Sequence, residues 1–413
     1  MLTPLTPTDI DAALISDEFN HNPYPLMARL QDEAPVYWSE SIGAWIVTRY
    51  DDVQTTFKVT RQFSNEGRLG KAVDYLPADE RARFGAFEQH YATKSLIHSD
   101  PPDHTRLRGL VTKAFTPRVI EGMKPRIQVI IDELLDKAQA QGGPMDLISG
   151  LAAPLPATVL AEIMGVAQSD TQMFKGWADD ILSFQGLNRP PVPILERAQR
   201  GIVAIRAYLT DLIAERRRNP GTDFLSQLVA AESEGERLST AELISTCVTF
   251  FIAGHETTLS LVGNGLQALL QHPDQLTLLR ADPSLMQSAI EEMLRYESPV
   301  PRQPRRVAEP VVLDGQALPP NAIVMQFLHG ANRDPRQFPD PHTFDIRRAN
   351  NRHMAFGFGI HFCVGAPLAR VEAPLAIAAV LRRMPNLRLV NERADWDISK
   401  PNSRLLHSLW VEN

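Results

Sequence analysis

The chain of 413 residues holds 42 Lys and Arg against 49 Asp and Glu, a formal charge of −7 with a pI near 5.9 and no basic tail, which excludes the electrostatic footprint of a nucleic-acid-binding protein. The first residues lack both a basic start and an apolar core, and no segment offers a long uninterrupted apolar run, so neither an export signal nor a membrane anchor is read. With Cys247 and Cys363 the only cysteines, a disulfide framework is excluded and a reducing, cytoplasmic compartment is expected.

Helical spacing over 24–30 gives way to two β-rich runs, 35–38 and 45–48, separated by Ser41-Ile42-Gly43, which predicts a hairpin opening a small sheet. Between 65 and 96, Gly67, Gly70 and Pro77 interrupt scattered Leu69, Tyr75, Phe84 and Phe87, so short helical pieces and loops are expected. Two prolines and an acid then precede a helical pattern with His104 and Arg108 four apart, hence on one cationic, hydrogen-bonding face. Taken alone, that pair reads as a solvated helix face.

From about 119 to 231 the pattern is repeatedly helical, broken at Gly142-Gly143-Pro144. Met173, Phe174, Trp177, Ile181, Leu182 and Phe184 form an apolar stripe ahead of the stiff Asn188-Arg189-Pro190-Pro191-Val192-Pro193 connection; packing in a core and contact with a ligand are both open to it.

Ser239 followed three residues later by Glu242 is a capping-box signature, and no proline follows until Pro273, so one helix of about thirty residues, on the order of 45 Å long, is predicted. Its most apolar part contains Ala253-Gly254-His255-Glu256-Thr257-Thr258. A carboxylate there is costly to bury unless paired or hydrated, and Gly254 costs about 1 kcal/mol relative to alanine in a helix interior. Two penalties at one place suggest function, with a solvated face or a strained kink as the bland readings.

Further on, Glu292 and Arg295 stand three apart on one helical face, a common and uninformative pairing by itself. Residues 311–313 and 323–325 read as strands around Asp314-Gly315 that rejoin the first sheet.

Phe356-Gly357-Phe358-Gly359-Ile360-His361-Phe362-Cys363-Val364-Gly365 gathers glycines around one histidine and one cysteine. A metal-bound thiolate must be approached closely by backbone N–H groups, and Gly357, Gly359 and Gly365 permit the turns this requires. The helical pattern that follows has Pro367 near its first turn, so its positive end would face the sulfur and lower its pKa. Cys363 therefore reads as a metal ligand. The competing readings are a buried free cysteine and a cysteine hydrolase using His361 as base; the second lacks an orienting third group.

This run resembles the haem-binding signature of the cytochrome P450 family, Phe-Gly-x-Gly-x-His-x-Cys-x-Gly, at every fixed position. The resemblance extends along almost the whole chain: Pro-Pro-x-His-x-x-x-Arg at 101–108, Ala-Gly-x-Glu-Thr at 253–257, Glu-x-x-Arg at 292–295, and the prolines and arginines between 299 and 348, all in the family's order. It implies a mainly α-helical fold with a smaller β region, one domain over 1–413. The β-rich parts are expected at about 33–60 and 300–350 and the helical parts at about 96–295 and 351–385. Haem is expected between the long central helix and the cysteine loop.

What the resemblance implies for individual residues follows from the same motifs. Cys363 would ligate the iron of haem b, iron protoporphyrin IX. His104, Arg108 and Arg305, with Arg306 the alternative by one position, would donate to its propionates, and His361, Phe356, Ala253 and Gly254 would contact it. Thr257 and Glu256 would serve oxygen activation as alcohol and acid. Glu292, Arg295 and Arg348 would form a structural staple, and Thr249, Ile252, Ala253, Val300 and Asn402 would line a mostly apolar substrate pocket.

The reaction so implied inserts one atom of dioxygen into a small apolar molecule, by hydroxylation or epoxidation, in a monomeric enzyme. The sequence carries no flavin or iron–sulfur segment, so a separate reduced ferredoxin or flavodoxin is expected to supply electrons. Arg106, Lys113, Arg118 and Arg370 are the cations expected to receive such an acidic partner. A peroxide-driven haem enzyme and a haem-binding sensor without turnover are the alternatives.

Overall fold

The computed structural model describes residues 5–67, 70–184, 187, 189–233, 236–391 and 393–413; Leu69, Asn188 and the first four residues, which figure in the sequence reading, lie outside that set. The fold is mainly helical with a smaller β region. No helix among the described residues is long and apolar enough to cross a membrane. The chain divides into two compact units, each discontinuous in sequence: 1–64, 127–154 and 257–413 in the first, 65–126 and 155–256 in the second.

The first unit is built on a five-stranded sheet. The hairpin read from sequence forms as Val36–Ser39 against antiparallel Ala44–Val47, with Gly43 at φ 70. Ala44–Val47 pairs in parallel with Ile323–Phe327, which pairs antiparallel with Arg302–Val307, and Phe63–Ser64 closes the far edge. Val47, Val53, Phe57, Phe63, Val307 and Val324 are buried together as the core beside it. Ile46 and Phe327, on the other face of the same strands, are buried in a second cluster with Leu14, Met27 and Leu30, so the sheet is packed on both faces.

Two expectations fail here. Val311–Leu313 does not rejoin the sheet but folds back on Gln316–Leu318 as a separate hairpin, turned by Asp314 and Gly315 at φ 46 and 76. Within the stretch expected to be β-rich, Tyr50–Lys58 is a helix that buries Tyr50, Val53, Thr56 and Phe57; its apolar residues recur at helical spacing. The Arg302–Val307 strand was in turn hard to read, because its cations and Pro304 are poor strand formers. Phe63–Ser64 pairs with Val307 and Arg306, at the far end of that strand from Arg302.

The second unit is helical. Thr171–Leu182 packs against Val192–Arg218 so closely that a Cβ on Gly201 would stand 2.7 Å from the Trp177 carbonyl oxygen. Phe174 is wholly buried, edge-on to Phe251 at 4.6 Å and to Tyr208 at 5.5 Å. Phe184 and Ile181 are buried as well, so half of the apolar stripe is core, while Trp177 and Leu182 are half-buried and Met173 is exposed.

The long helix spans Thr240–Gln271 and begins where the capping box placed it: Glu242 N–H donates to Ser239 Oγ at 3.2 Å and Ser239 N–H to Glu242 Oε2 at 2.9 Å. Its residues up to 256 belong to the second unit and those from 257 to the first. A Cβ on Gly263 or Gly265 would come within 2.6 Å of Ile148 or Met293, so small residues there let neighbours close on the helix.

Candidate active site

The cysteine loop lies along the Tyr50–Lys58 helix. Gly357 and Gly359 both adopt positive φ, 71 and 69, and a Cβ on Gly359 would stand 3.2 Å from the Phe57 carbonyl oxygen. Cys363 N–H donates back to the Phe356 carbonyl at 2.9 Å and closes the turn. The Ala366–Arg383 helix starts three residues after the cysteine, with Pro367 in its first turn. Its positive end favours a thiolate. Cys363 is exposed. Cys247 is the opposite case: burial pushes its thiol up to about 12 and leaves it an inert core residue.

Behind the loop a chain of charges fixes its frame. Arg370 stacks its guanidinium over the Phe356 ring at 4.6 Å and clamps Glu291 with two bonds of 2.7 and 2.8 Å, while His353 Nε2 meets the same carboxylate at 2.9 Å. Burial alone would raise the Glu291 carboxyl, but the Arg370 and His353 bonds outweigh it and hold it at about 2. The Arg370 pKa is raised, chiefly by Glu291 and further by the Cys363 sulfur. Held by Glu291, this arginine is less available to a docking partner than its sequence position implied, and Arg106 is likewise ion-paired with Glu242. Glu291 and His353 carried no signal in the sequence beyond their residue type.

Glu292 and Arg295 are both 0 % exposed and form a bidentate pair at 2.7 and 2.8 Å. Arg295 spends its remaining donors on the carbonyls of Asn332, Pro341 and Thr343, and Glu292 also accepts from Arg348 Nε, Asn351 Nδ2 and the Asp345 N–H. A buried ion pair is tolerable only when its remaining lone pairs and protons are met in this way. Asn351 is the member that sequence reasoning missed.

Strand geometry separates the two arginines that spacing left open. Arg305 is 2 % exposed, with its guanidinium 5.1 Å from the Phe57 ring centroid. Arg306 points to the opposite face and bonds Asn321 Oδ1 and Ser64 Oγ. Val300 packs against the sheet core, and Asn402 Oδ1 accepts from Arg302 Nε. His361 is half-buried beside Cys363.

In the second unit, His104 is 2 % exposed on the Asp103–Ala114 helix and Arg108 is half-buried one turn on. Along the long helix Thr249, Ile252, His255, Glu256 and Thr258 are all buried, yet Ala253 is exposed and Gly254 and Thr257 are partly so. Residues 253 and 257 share a face, so an otherwise enclosed helix keeps one accessible strip. Gly254 has a packing reason of its own, since a Cβ there would stand 2.8 Å from Leu160 Cδ1. His255 Nδ1 donates to the Phe251 carbonyl at 3.0 Å and its Nε2 lies 3.2 Å from Asp179 Oδ1.

Among the described residues no three His, Cys, Asp or Glu side chains cluster to hold a metal ion, so Cys363 would be a sole protein ligand and a prosthetic group would supply the others. In the first unit an exposed cysteine in a glycine turn and a buried arginine, Arg305, suited to a carboxylate fit haem as that group.

The sequence pattern of the family described as Cytochrome P450 matches residues 69–408. The chain belongs to the cytochrome P450 family. Cytochrome P450 monooxygenase PikC of Streptomyces venezuelae is 42% identical over 393 residues, 94% of this chain and 90% of that protein. Vitamin D(3) 25-hydroxylase of Pseudonocardia autotrophica is 40% identical over 91% of this chain and 90% of its own length. The structure of cytochrome P450 CYP109Q5 from Chondromyces apiculatus superposes with a TM-score of 0.86 at 37% identity, covering 97% of both chains. The chain is thus a bacterial-type P450 with the family's mainly helical fold and long central helix, and its family is one of haem-thiolate monooxygenases.

Proposed function

We propose that this P450 hydroxylates or epoxidises a small, mostly apolar molecule with electrons from a separate ferredoxin or flavodoxin, acting as a cytoplasmic monomer. The observation that carries the reading is the accessible strip at Ala253, Gly254 and Thr257 in a helix buried on either side of it, with Glu256 buried beside it. That a relative is named as a vitamin D(3) hydroxylase supports an apolar substrate.

When bound, haem with a thiolate ligand supplies the oxygen-activating chemistry. Cys363 would hold its iron, with the turn at Gly357 and Gly359 and the helix from Ala366 favouring the anionic sulfur. Arg305, His104 and Arg108 would bind the propionates, with His361 and Phe356 beside them. Burial supports Arg305 over Arg306, whose donors face Asn321 and Ser64. Thr257 would present its hydroxyl on the accessible strip and Glu256 would relay protons to it. Thr249, Ile252, Ala253 and Val300 would offer apolar contact to substrate.

The test is turnover of the purified holoenzyme with ferredoxin, its reductase and reduced nicotinamide under isotopically labelled dioxygen, screened over terpenoids, fatty acids, steroids and macrolides. The expected result is a product heavier by one labelled oxygen atom. Product formed from peroxide alone, with none from the redox chain, would replace this reading by the peroxide-driven one. Binding spectra without product under either condition would leave a sensor.

A further inference from the structure

In the first unit a cavity of about 30 Å³ lies between Phe19, Pro301, Arg302, His329 and the 396–405 segment. It has room for about two water-sized particles. Two arginines, Arg302 and Arg404, line it, and Arg404 shares one carboxylate with Arg333. Glu297 accepts from Arg404 Nε at 3.0 Å and from Arg333 at 3.3 Å, and its acceptor capacity is further used by the Tyr24 hydroxyl at 2.8 Å. Arg333 is stacked between Tyr24 and Tyr296 at 3.4 and 3.8 Å, and Arg404 gives its terminal donors to the Asn20 and His21 carbonyls.

Arg302 stands apart. Its Nε donates to the carboxamide oxygen of Asn402 at 3.1 Å and its plane lies 5.9 Å from the Phe327 ring centroid, and neither contact carries negative charge. Arg302 is half-buried, and the loss of water around it pulls its pKa down to about 10, so at neutral pH it is a charged guanidinium that, among the described residues, no carboxylate pairs with. Lys400 and Asp397 also line the cavity, one charge of each sign.

The second observation is His329, 3 % exposed. Its Nδ1 lies 2.6 Å from the Pro301 carbonyl and must donate to it, and its buried Nε2 has no partner among the described residues. Burial, aided by Arg404, Arg302 and Arg333, lowers its pKa to about 3, so the ring is neutral and Nε2 presents a lone pair that needs a donor. A charged donor and a bare acceptor on one small cavity call for two different guests.

We propose that this cavity binds one small monovalent anion of chloride size on Arg302, together with one water that donates to His329 Nε2 and to the anion. Arg302 and Asn402 form the bond that joins the Arg302–Val307 strand to the 396–405 segment. Occupancy strengthens that joint, and it does so whatever the substrate of the enzyme.

The experiment is thermal unfolding of the holoenzyme in sodium chloride against sodium gluconate at matched ionic strength, since gluconate is too large for the cavity. A saturable rise in Tm is expected, on the order of 2 °C at a tenfold excess of chloride over its dissociation constant, seen with chloride and bromide and absent in Arg302→Gln. An equal response to gluconate, a linear unsaturable one, or the same rise in Arg302→Gln overturns the proposal in favour of a cavity that holds water only. Should Arg302→Gln fail to fold, anomalous diffraction from bromide-soaked crystals of the unaltered protein decides: a peak within hydrogen-bond distance of the Arg302 guanidinium supports the site, and no peak there overturns it.

Discussion

His255 Nε2 lies 3.2 Å from Asp179 Oδ1 and ties the Thr171–Leu182 helix to the long helix at the turn that carries Glu256. Both ring nitrogens face acceptors, the Asp179 carboxylate and the Phe251 carbonyl, so the two bonds are made together only when both nitrogens carry protons. Burial would raise the Asp179 carboxyl, but the His255 and Lys175 bonds outweigh it and hold it at about 2. A lowered carboxyl stabilises the fold above its ordinary pKa and loses that contribution as pH falls through its folded value. Asp179→Asn should therefore cost about 1 kcal/mol at neutral pH, and its deficit relative to the unaltered protein should shrink as pH drops below about 4. Urea unfolding at several pH values measures both; a deficit constant with pH would show that the tie is not ionic.

Cys363→Ser should abolish the thiolate-type absorption of the reduced, carbon-monoxide-bound protein, because a hydroxyl is a far weaker donor to iron. Cys247→Ala should leave that spectrum unaltered and cost only about 1 kcal/mol, the price of one buried small apolar group. Loss of the signal from the second change rather than the first would reverse the ligand assignment.

Thr257→Ala should uncouple turnover. Reduced nicotinamide would still be consumed through the redox chain while product falls and peroxide rises. Glu256→Gln should instead slow oxygen consumption, as expected when a proton relay is removed. Nicotinamide, peroxide and product measured in the same reaction separate these outcomes, and full coupling in Thr257→Ala would take the alcohol out of the proton path.

Glu292→Ala should destabilise by about 3–5 kcal/mol, since it leaves the wholly buried Arg295 without its carboxylate and strips acceptors from Arg348 and Asn351. Soluble yield and haem content should fall together. A variant that unfolds in denaturant like the unaltered protein would show that the three carbonyls alone satisfy Arg295.

Glu372 is buried in the Ala366–Arg383 helix with Oε2 unpartnered among the described residues, and burial pushes its carboxyl up to about 8. The sign is opposite to that of Asp179: the folded state holds a proton that the unfolded chain releases, so stability falls as pH rises from about 4.5 towards 8. Glu372→Gln should be nearly neutral in stability at pH 5 and increasingly stabilising towards pH 8. Tm measured across that range checks it, and a parallel offset at every pH would mean that the carboxyl is already ionised in the fold.

Local chemistry made some of this legible in advance. The reciprocal bonds of Ser239 and Glu242, the helix to Gln271, the turn at Gly43 and the glycine conformations around Cys363 all depend on neighbours a few residues apart, and spacing reports such neighbours directly. The same holds for the family membership, which rests on short motifs.

Pairings across long stretches of chain were decided only by the tertiary structure. Asp179 and His255 are 76 residues apart, and nothing in either neighbourhood marks the other. Strand pairing sent Arg305 inward and Arg306 outward, a choice that adjacent residues of one type cannot make until the register with Ile323–Phe327 is set. Leu160, 94 residues earlier in the chain, gives Gly254 a packing role that its sequence neighbours do not announce. By itself the sequence determined where the long helix begins, where glycine must bend the chain and which cysteine sits in a glycine-built turn, because those are local matters of capping, φ and spacing. Which buried charges find partners, and that Arg302 finds none of opposite sign, was left to the packing of segments distant in the chain, because desolvation and pairing exist only once those segments meet.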